Sequence, residues 1–155
     1  MRSALRIGLG VAVAGLAAGF LPTAAGAAPA CTPAVVPADE AALTAMIAAQ
    51  RRTAKAPEVV EDGALLKAGR RKSLAMARGG AFTHAGSMTW AQGRAGAQNI
   101  AMAPTPELAF RAMLASPAHR RNIMANEWRF TGVGAARDCS GQVFFTVNLM
   151  APPPS

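Results

Sequence analysis

The chain has few of the side chains that carry redox, hydrolytic or nucleic-acid chemistry. It has two cysteines, two histidines and 8 acidic residues against 16 basic ones in 155 residues. The cysteines do not form a C-x-x-C pair and no serine lies in a G-x-S-x-G motif, which argues against a redox dithiol and that class of serine hydrolase. No aromatic residue interleaves with the only basic run, Arg70–Lys72. A nucleic-acid surface is therefore not expected.

A hydrophobic run of membrane-spanning length is also absent. The apolar run at residues 7–21 is shorter than the ~20 residues that a spanning helix needs. Arg2 and Arg6 precede this run and small residues up to Ala27 follow it, which is typical of a cleaved signal peptide rather than an anchor. Removal of residues 1–27 would leave 128 residues with 14 basic and 8 acidic side chains, a formal charge of about +6. We expect a secreted or cell-envelope protein of one domain.

Export has a consequence for the two cysteines, Cys31 and Cys139. An even number of cysteines in an exported chain predicts a disulfide. This bridge would close a loop of more than 100 residues. For a loop of that size, loop-closure entropy gives a stabilisation of about 4–5 kcal/mol.

Hydrophobic spacing and capping residues predict helices first and strands later, which indicates an α+β domain. The Pro-rich residues 28–37 are interpreted as an extended arm, residues 38–151 as the domain and residues 152–155 as a tail. The predicted helices cover residues 39–52, 64–80, 105–116 and 116–124. The predicted strands cover residues 129–137 and 142–150, and a glycine-rich segment before the third helix is interpreted as a loop with a short strand at 97–103.

The segment SPAHRRNIM, residues 116–124, carries one of the two histidines at a predicted helix start. Ser116 is a typical N-cap, and Pro117 takes the first helical position, where a missing N–H has no cost. His119 follows in the first turn, where the helix dipole disfavours a positive imidazole. We therefore expect a neutral His119.

Four segments in order, MARGGAFTHAG, AGAQNIA, AFRAMLASPAHRRNIM and FTGVGAA, resemble the CAP superfamily. This superfamily includes cysteine-rich secretory proteins, venom allergens and plant pathogenesis-related proteins, and the chain is similar to its short bacterial branch. The resemblance covers residues 38–150. It implies an α-β-α sandwich, in which helices flank a small antiparallel sheet, and a secreted protein.

The resemblance also implies a solvent-open cleft lined by two histidines and one or two glutamates. His84 and His119 match the histidine positions, although they are 35 residues apart and only the fold can bring them together. Gln98 stands where the family has a glutamate, and the second glutamate has no acidic counterpart at residues 113–115. Gln98 can orient and hydrogen-bond a neighbour, but it cannot ionise. Glu127 is a weak third candidate beside the histidines for a metal.

Three classes of function follow from these residues. The resemblance implies a binding module for a sterol, a fatty acid or another ligand, and we expect such a non-catalytic module, with a small apolar ligand or an anionic envelope component as its partner. A hydrolase or metal-dependent enzyme that uses His84 and His119 is the alternative, but catalytic zinc needs about three protein ligands. We expect no cofactor and at most weak zinc binding. A structural envelope protein is the third class, and the oligomeric state stays open.

Overall fold

The computed structural model describes residues 30–84, 91 and 93–154, so the predicted signal peptide at residues 1–27 lies outside the described residues. The described part contains four helices and five strands. The helices are α1 (Pro37–Thr53), α2 (Gly63–Ala77), α3 (Pro106–Ala115) and α4 (Pro117–Met124). The strands are β1 (Ala34–Val35), β2 (Val60–Glu61), β3 (Gly96–Ala103), β4 (Phe130–Arg137) and β5 (Val143–Met150). Within these residues, no helix is both long and apolar enough to cross a bilayer.

The helix starts follow local capping chemistry. The Asp62 carboxylate accepts hydrogen bonds from the N–H groups of Ala64 and Leu65 at the start of α2. Thr105 caps α3 in the same way through the N–H of Leu108. These bonds satisfy N–H groups that have no partner within the helix.

The sheet is antiparallel except at one short strand. The strand order is β1-β4-β5-β3, and β2 pairs with β4 in parallel. The predicted hairpin is formed by β4 and β5, and β3 pairs with β5 over its whole length, from Gly96 opposite Met150 to Ala103 opposite Val143. β3 therefore lies at one edge of the described sheet, with no bulge in its register.

Helices cover both faces of the sheet, as the resemblance implies. Alternate residues of β5 point to opposite faces. Phe145, Val147 and Leu149 join the core under α1, α3 and α4, whereas Phe144 joins a second core with Met76 of α2. Because β5 is buried on both faces, its sequence is almost continuously apolar. The α-β-α sandwich is thus observed.

Helix α2 lies against β4 at backbone contact distance. A Cβ atom added to Gly134 would overlap the backbone of Gly69 and Arg70, and one added to Gly132 would overlap the backbone at Leu65 and Leu66. The close approach needs glycine on both elements, which gives a physical reason for Gly69 in the apolar stripe of α2.

Polar contacts hold the edge of the sheet opposite β3. The buried Glu40 carboxylate accepts hydrogen bonds from the Arg70 guanidinium, the shortest at 2.6 Å, and from the N–H of Ala135 at 3.2 Å. Cys31, just before β1, forms a disulfide with Cys139 in the β4–β5 turn. The predicted disulfide is therefore confirmed.

The structure differs from the sequence-based elements mainly at the short strands. β1 lies inside the interval interpreted as an extended arm, and β2 lies in a predicted connection. Both have two residues, too few to show a period of two. Helix α1 begins at Pro37, before the acidic residues at which its start was placed.

Candidate functional site

Helix α4 begins as the sequence predicts. Ser116 is its N-cap and accepts a hydrogen bond from the N–H of His119 at 3.5 Å, while Pro117 takes the first helical position. His119 is therefore held in the first turn of the helix, at the corner between α3 and α4.

His84, which follows α2 on the opposite face of the sheet, lies close to His119. The two ring centroids are 6.1 Å apart and the rings meet edge to face at 67°. Burial lowers the pKa of the His119 imidazole, and the positive charge that His84 can carry lowers it further. The helix dipole predicts a lowered His119 pKa, and in the folded protein the pKa is lowered by burial first and by His84 second.

Asn99 fixes the backbone of His119 from the sheet and was not singled out from the sequence. This fully buried side chain donates from Nδ2 to the carbonyl oxygen of His119 at 2.9 Å and accepts on Oδ1 from Asn122 at 2.8 Å. The indole of Trp128 donates to the Asn122 carbonyl at 2.7 Å. The sequence did offer one signal for Asn99. It is a polar residue between Ala97 and Ala101, on the face of β3 that packs against α1, α3 and α4.

An open groove of about 320 Å³, lined in part by His119, lies along the outer edge of β3. Ile100 and Met102 form its floor, and Phe82 forms the wall on the α2 side, where its ring packs against Phe144 with centroids 6.3 Å apart. The opposite wall is the α3–α4 corner, with Ala112, Met113, Ser116 and His119. The groove therefore combines apolar walls with one imidazole and one hydroxyl.

Gln98 is not among the residues that line this groove. Its buried side-chain amide donates to Oδ1 of Asn148 on β5 at 2.9 Å, and Asn148 in turn donates to the Leu65 carbonyl at 3.0 Å. This chain of bonds connects β3 to α2 through β5. A direct role of Gln98 at the histidines stays a prediction.

Glu127, the weak third metal candidate, is exposed and acts on a different residue. It raises the pKa of Arg51, which burial and Arg129 lower more strongly, and it makes no contribution to the pKa shift of His119. Arg51 itself is buried and donates to the carbonyl oxygens of Pro57, Ile123 and Ala125. Among the described residues, no three His, Cys, Asp or Glu side chains are grouped to hold a metal ion.

A family model matches most of this chain. The model of the CAP family, described as the cysteine-rich secretory protein family, matches residues 44–149. The chain belongs to the CAP family. A search of curated proteins gives no match.

Solved structures share this CAP fold at low identity. An outer surface protein of Borrelia burgdorferi matches with a TM-score of 0.68 and 16% identity, over 76% of this chain and 96% of that protein. An extracellular protein of Bacillus anthracis with an SCP domain matches with a TM-score of 0.65 and 19% identity. That match covers 75% of this chain but 41% of the Bacillus protein. A cysteine-rich secretory protein of Staphylococcus aureus matches with a TM-score of 0.62 and 15% identity, over 75% and 39% of the two chains.

Proposed function

We propose that this CAP-family protein is an exported, non-catalytic binding module that holds its ligand in the groove beside His84 and His119. The proximity of the two imidazoles, one of which lines an apolar groove, carries the proposal. Binding sites combine mostly apolar walls with a few convergent polar groups. The ligand is a molecule with an apolar part and a polar or anionic end, which includes a small amphiphile and a cell-envelope component.

Export is supported by the Cys31–Cys139 disulfide, because disulfides persist in oxidising compartments. Two structural relatives are an outer surface protein and an extracellular protein. The excess of 16 basic over 8 acidic residues favours an anionic partner.

The residue chemistry favours binding over turnover. A neutral His119 can donate or accept one hydrogen bond and so orient a polar group. A hydrolase or metal-dependent enzyme would gain from a carboxylate beside the imidazoles, and the matched family position is Gln98. In a purely structural envelope protein, His84 and His119 would only brace the segment between α2 and β3.

The test uses protein whose methionine methyl groups are isotope-labelled. Each probe is titrated into this protein, and NMR follows the methyl signals of the groove residues Met102 and Met113. Dodecanoate and a pool of acidic ten-residue peptides serve as probes. We expect at least one probe to shift both methyl signals saturably. His119→Ala should weaken that binding several-fold, whereas Leu108→Ala, on the exposed surface of α3 outside the groove, should not.

Two results would contradict the proposal. Methyl signals that neither probe moves would remove the binding site. Hydrolysis of a peptide or ester by the purified protein, abolished in His119→Ala, would establish the enzyme alternative instead.

A further inference from the structure

At Ile100 and Met102, the outer edge of β3 carries backbone groups that pair with no other described residue. In an antiparallel pair, every second residue exchanges both its hydrogen bonds with the neighbouring strand, and the residues between them point their N–H and C=O groups outward. The N–H of Ala151 donates to the carbonyl of Ala95, which continues the β3–β5 ladder by one position. Residues 97, 99, 101 and 103 therefore bond to β5. Ile100 and Met102 direct their N–H and C=O groups into the groove.

The sequence and register of β3 lack three features that usually block strand pairing: charge, proline and a bulge. Natural edge strands carry charges, prolines or bulges that prevent another strand from adding to them. β3 has eight residues, GAQNIAMA, with no charge and no proline, and it pairs with β5 without a bulge. Met102 is 54% exposed at this edge and Phe82 beside it is 50% exposed.

The walls of the groove fit a strand that lies beside β3. Phe82 stands on the α2 side of the edge, and Ala112 and Met113 stand on the α3 side. A strand between them would point alternate side chains at the two apolar walls, since successive residues face opposite sides of a sheet.

The floor of the groove distinguishes a peptide from a lipid chain. A hydrocarbon chain laid over this edge would leave the outward N–H and C=O groups of Ile100 and of the 54% exposed Met102 without hydrogen-bond partners, which is unfavourable for buried polar groups. An extended peptide would instead pair with the same N–H and C=O groups, as in recognition by strand addition.

Charge distinguishes the peptide partner from a second copy of this chain. Arg111 and Arg120 are exposed and directly adjoin the wall residues Ala112 and His119 in sequence. Glu107 is the single acid on α3, and α4 has none. Two copies paired through β3 would bring these arginines together, whereas an acidic peptide would be attracted by them.

We infer that the groove binds an extended acidic peptide of another protein, which adds to the edge of β3 through the backbone of Ile100 and Met102. This inference rests on the proposed binding function and names the ligand class of the same groove. Apolar side chains at the centre of the peptide contact Phe82 and Met113, and acidic residues on either side face the arginines.

The experiment uses a pool of ten-residue peptides with Val, Ile, Leu or Phe at the three central positions and Asp or Glu elsewhere. The control pool carries N-methyl groups on the three central residues, which prevents strand pairing. NMR of the 15N-labelled protein follows the amides of Ile100 and Met102. We expect the first pool to shift both amides downfield and to slow their hydrogen exchange, and the N-methylated pool to leave them unchanged.

Two variants isolate the backbone contribution at residue 102. Met102→Pro removes the outward N–H but no hydrogen bond of the β5 ladder, a position where an edge strand tolerates proline. Met102→Ala removes the same side chain and keeps the N–H. We expect Met102→Pro to bind the peptides about tenfold more weakly than Met102→Ala, the effect of one lost hydrogen bond of about 1.4 kcal/mol. Circular dichroism checks that both variants fold, and if the proline variant does not, the comparison of the two pools decides.

The remaining outcomes separate this inference from the proposed function. Equal binding of the parent and N-methylated pools, or of the two folded variants, would overturn strand addition. Saturable binding of dodecanoate without peptide binding would overturn the peptide assignment and leave the binding module intact. Binding of neither probe would overturn both.

Discussion

Replacement of Asn99 by alanine tests whether the sheet sets the position of His119. The Asn99 side chain is fully buried and makes two hydrogen bonds, to the His119 carbonyl and from the Asn122 amide. Each such bond contributes about 1 kcal/mol net, and a partner left buried without a bond adds to the loss. Asn122 is half-buried, so its amide can turn to water. We therefore expect a loss of about 2–3 kcal/mol of unfolding free energy.

The same substitution should change the titration of His119. A start of α4 that is no longer held by Asn99 exposes the imidazole, and its pKa should rise towards the ordinary value of about 6.5. In the natural protein the folded pKa is lowered, so the unfolded state binds more protons near pH 6 and stability falls as the pH drops through that range. This loss of stability at acidic pH should diminish in Asn99→Ala.

Urea unfolding with the disulfide intact measures the first effect, and NMR titration of the His119 ring measures the second. Asn126→Ala is the matched control, because Asn126 is exposed and its described hydrogen bond involves only the backbone carbonyl. The control should stay within about 0.5 kcal/mol of the natural protein. A loss in Asn99→Ala no larger than that of the control, with an unchanged His119 pKa, would show that β3 does not position α4.

Three further substitutions test other parts of the structure. His84→Ala should raise the pKa of His119, since it removes the neighbouring charge, and an unchanged value by NMR would place the cause in burial alone. Gly134→Ala should lower the free energy of unfolding by about 3 kcal/mol or more in urea, because its Cβ would overlap α2. Gly63→Ala, with open space around the added Cβ, should have no such effect, and equal effects would contradict the close approach of α2 and β4. Zinc should bind weakly or not at all in calorimetry and more tightly in Gln98→Glu, and tight binding by the natural protein would mean that a further ligand is present.

Local chemistry made the helices predictable. The start of α4 depends on Ser116 and Pro117, which act within one turn, and the prediction there is confirmed. β3 is one residue longer than the strand interpreted from the sequence, at 96–103 rather than 97–103, because its register is set by pairing with β5.

Long-range contacts explain what the sequence could not predict. Glu40 is typical of an exposed first helical turn, yet it is buried against Arg70 and Ala135, which are distant in the chain. The 6.1 Å separation of His84 and His119 has the same origin, since it depends on elements from both faces of the sheet. The family resemblance, rather than any local pattern, connected these two residues.

The two edges of the sheet differ in how their backbone groups are covered, and this difference limits how the protein can assemble. On one side, the two-residue strands β1 and β2, together with the Glu40 carboxylate, occupy the outer side of β4. On the other side, β3 presents eight uncharged residues. Growth of a fibre by strand addition needs an accepting edge at both ends of each subunit. If β3 accepts a strand, as inferred above, the sheet can take up one partner at that edge and cannot extend further through the other, so the pairing edge does not lead to fibre growth.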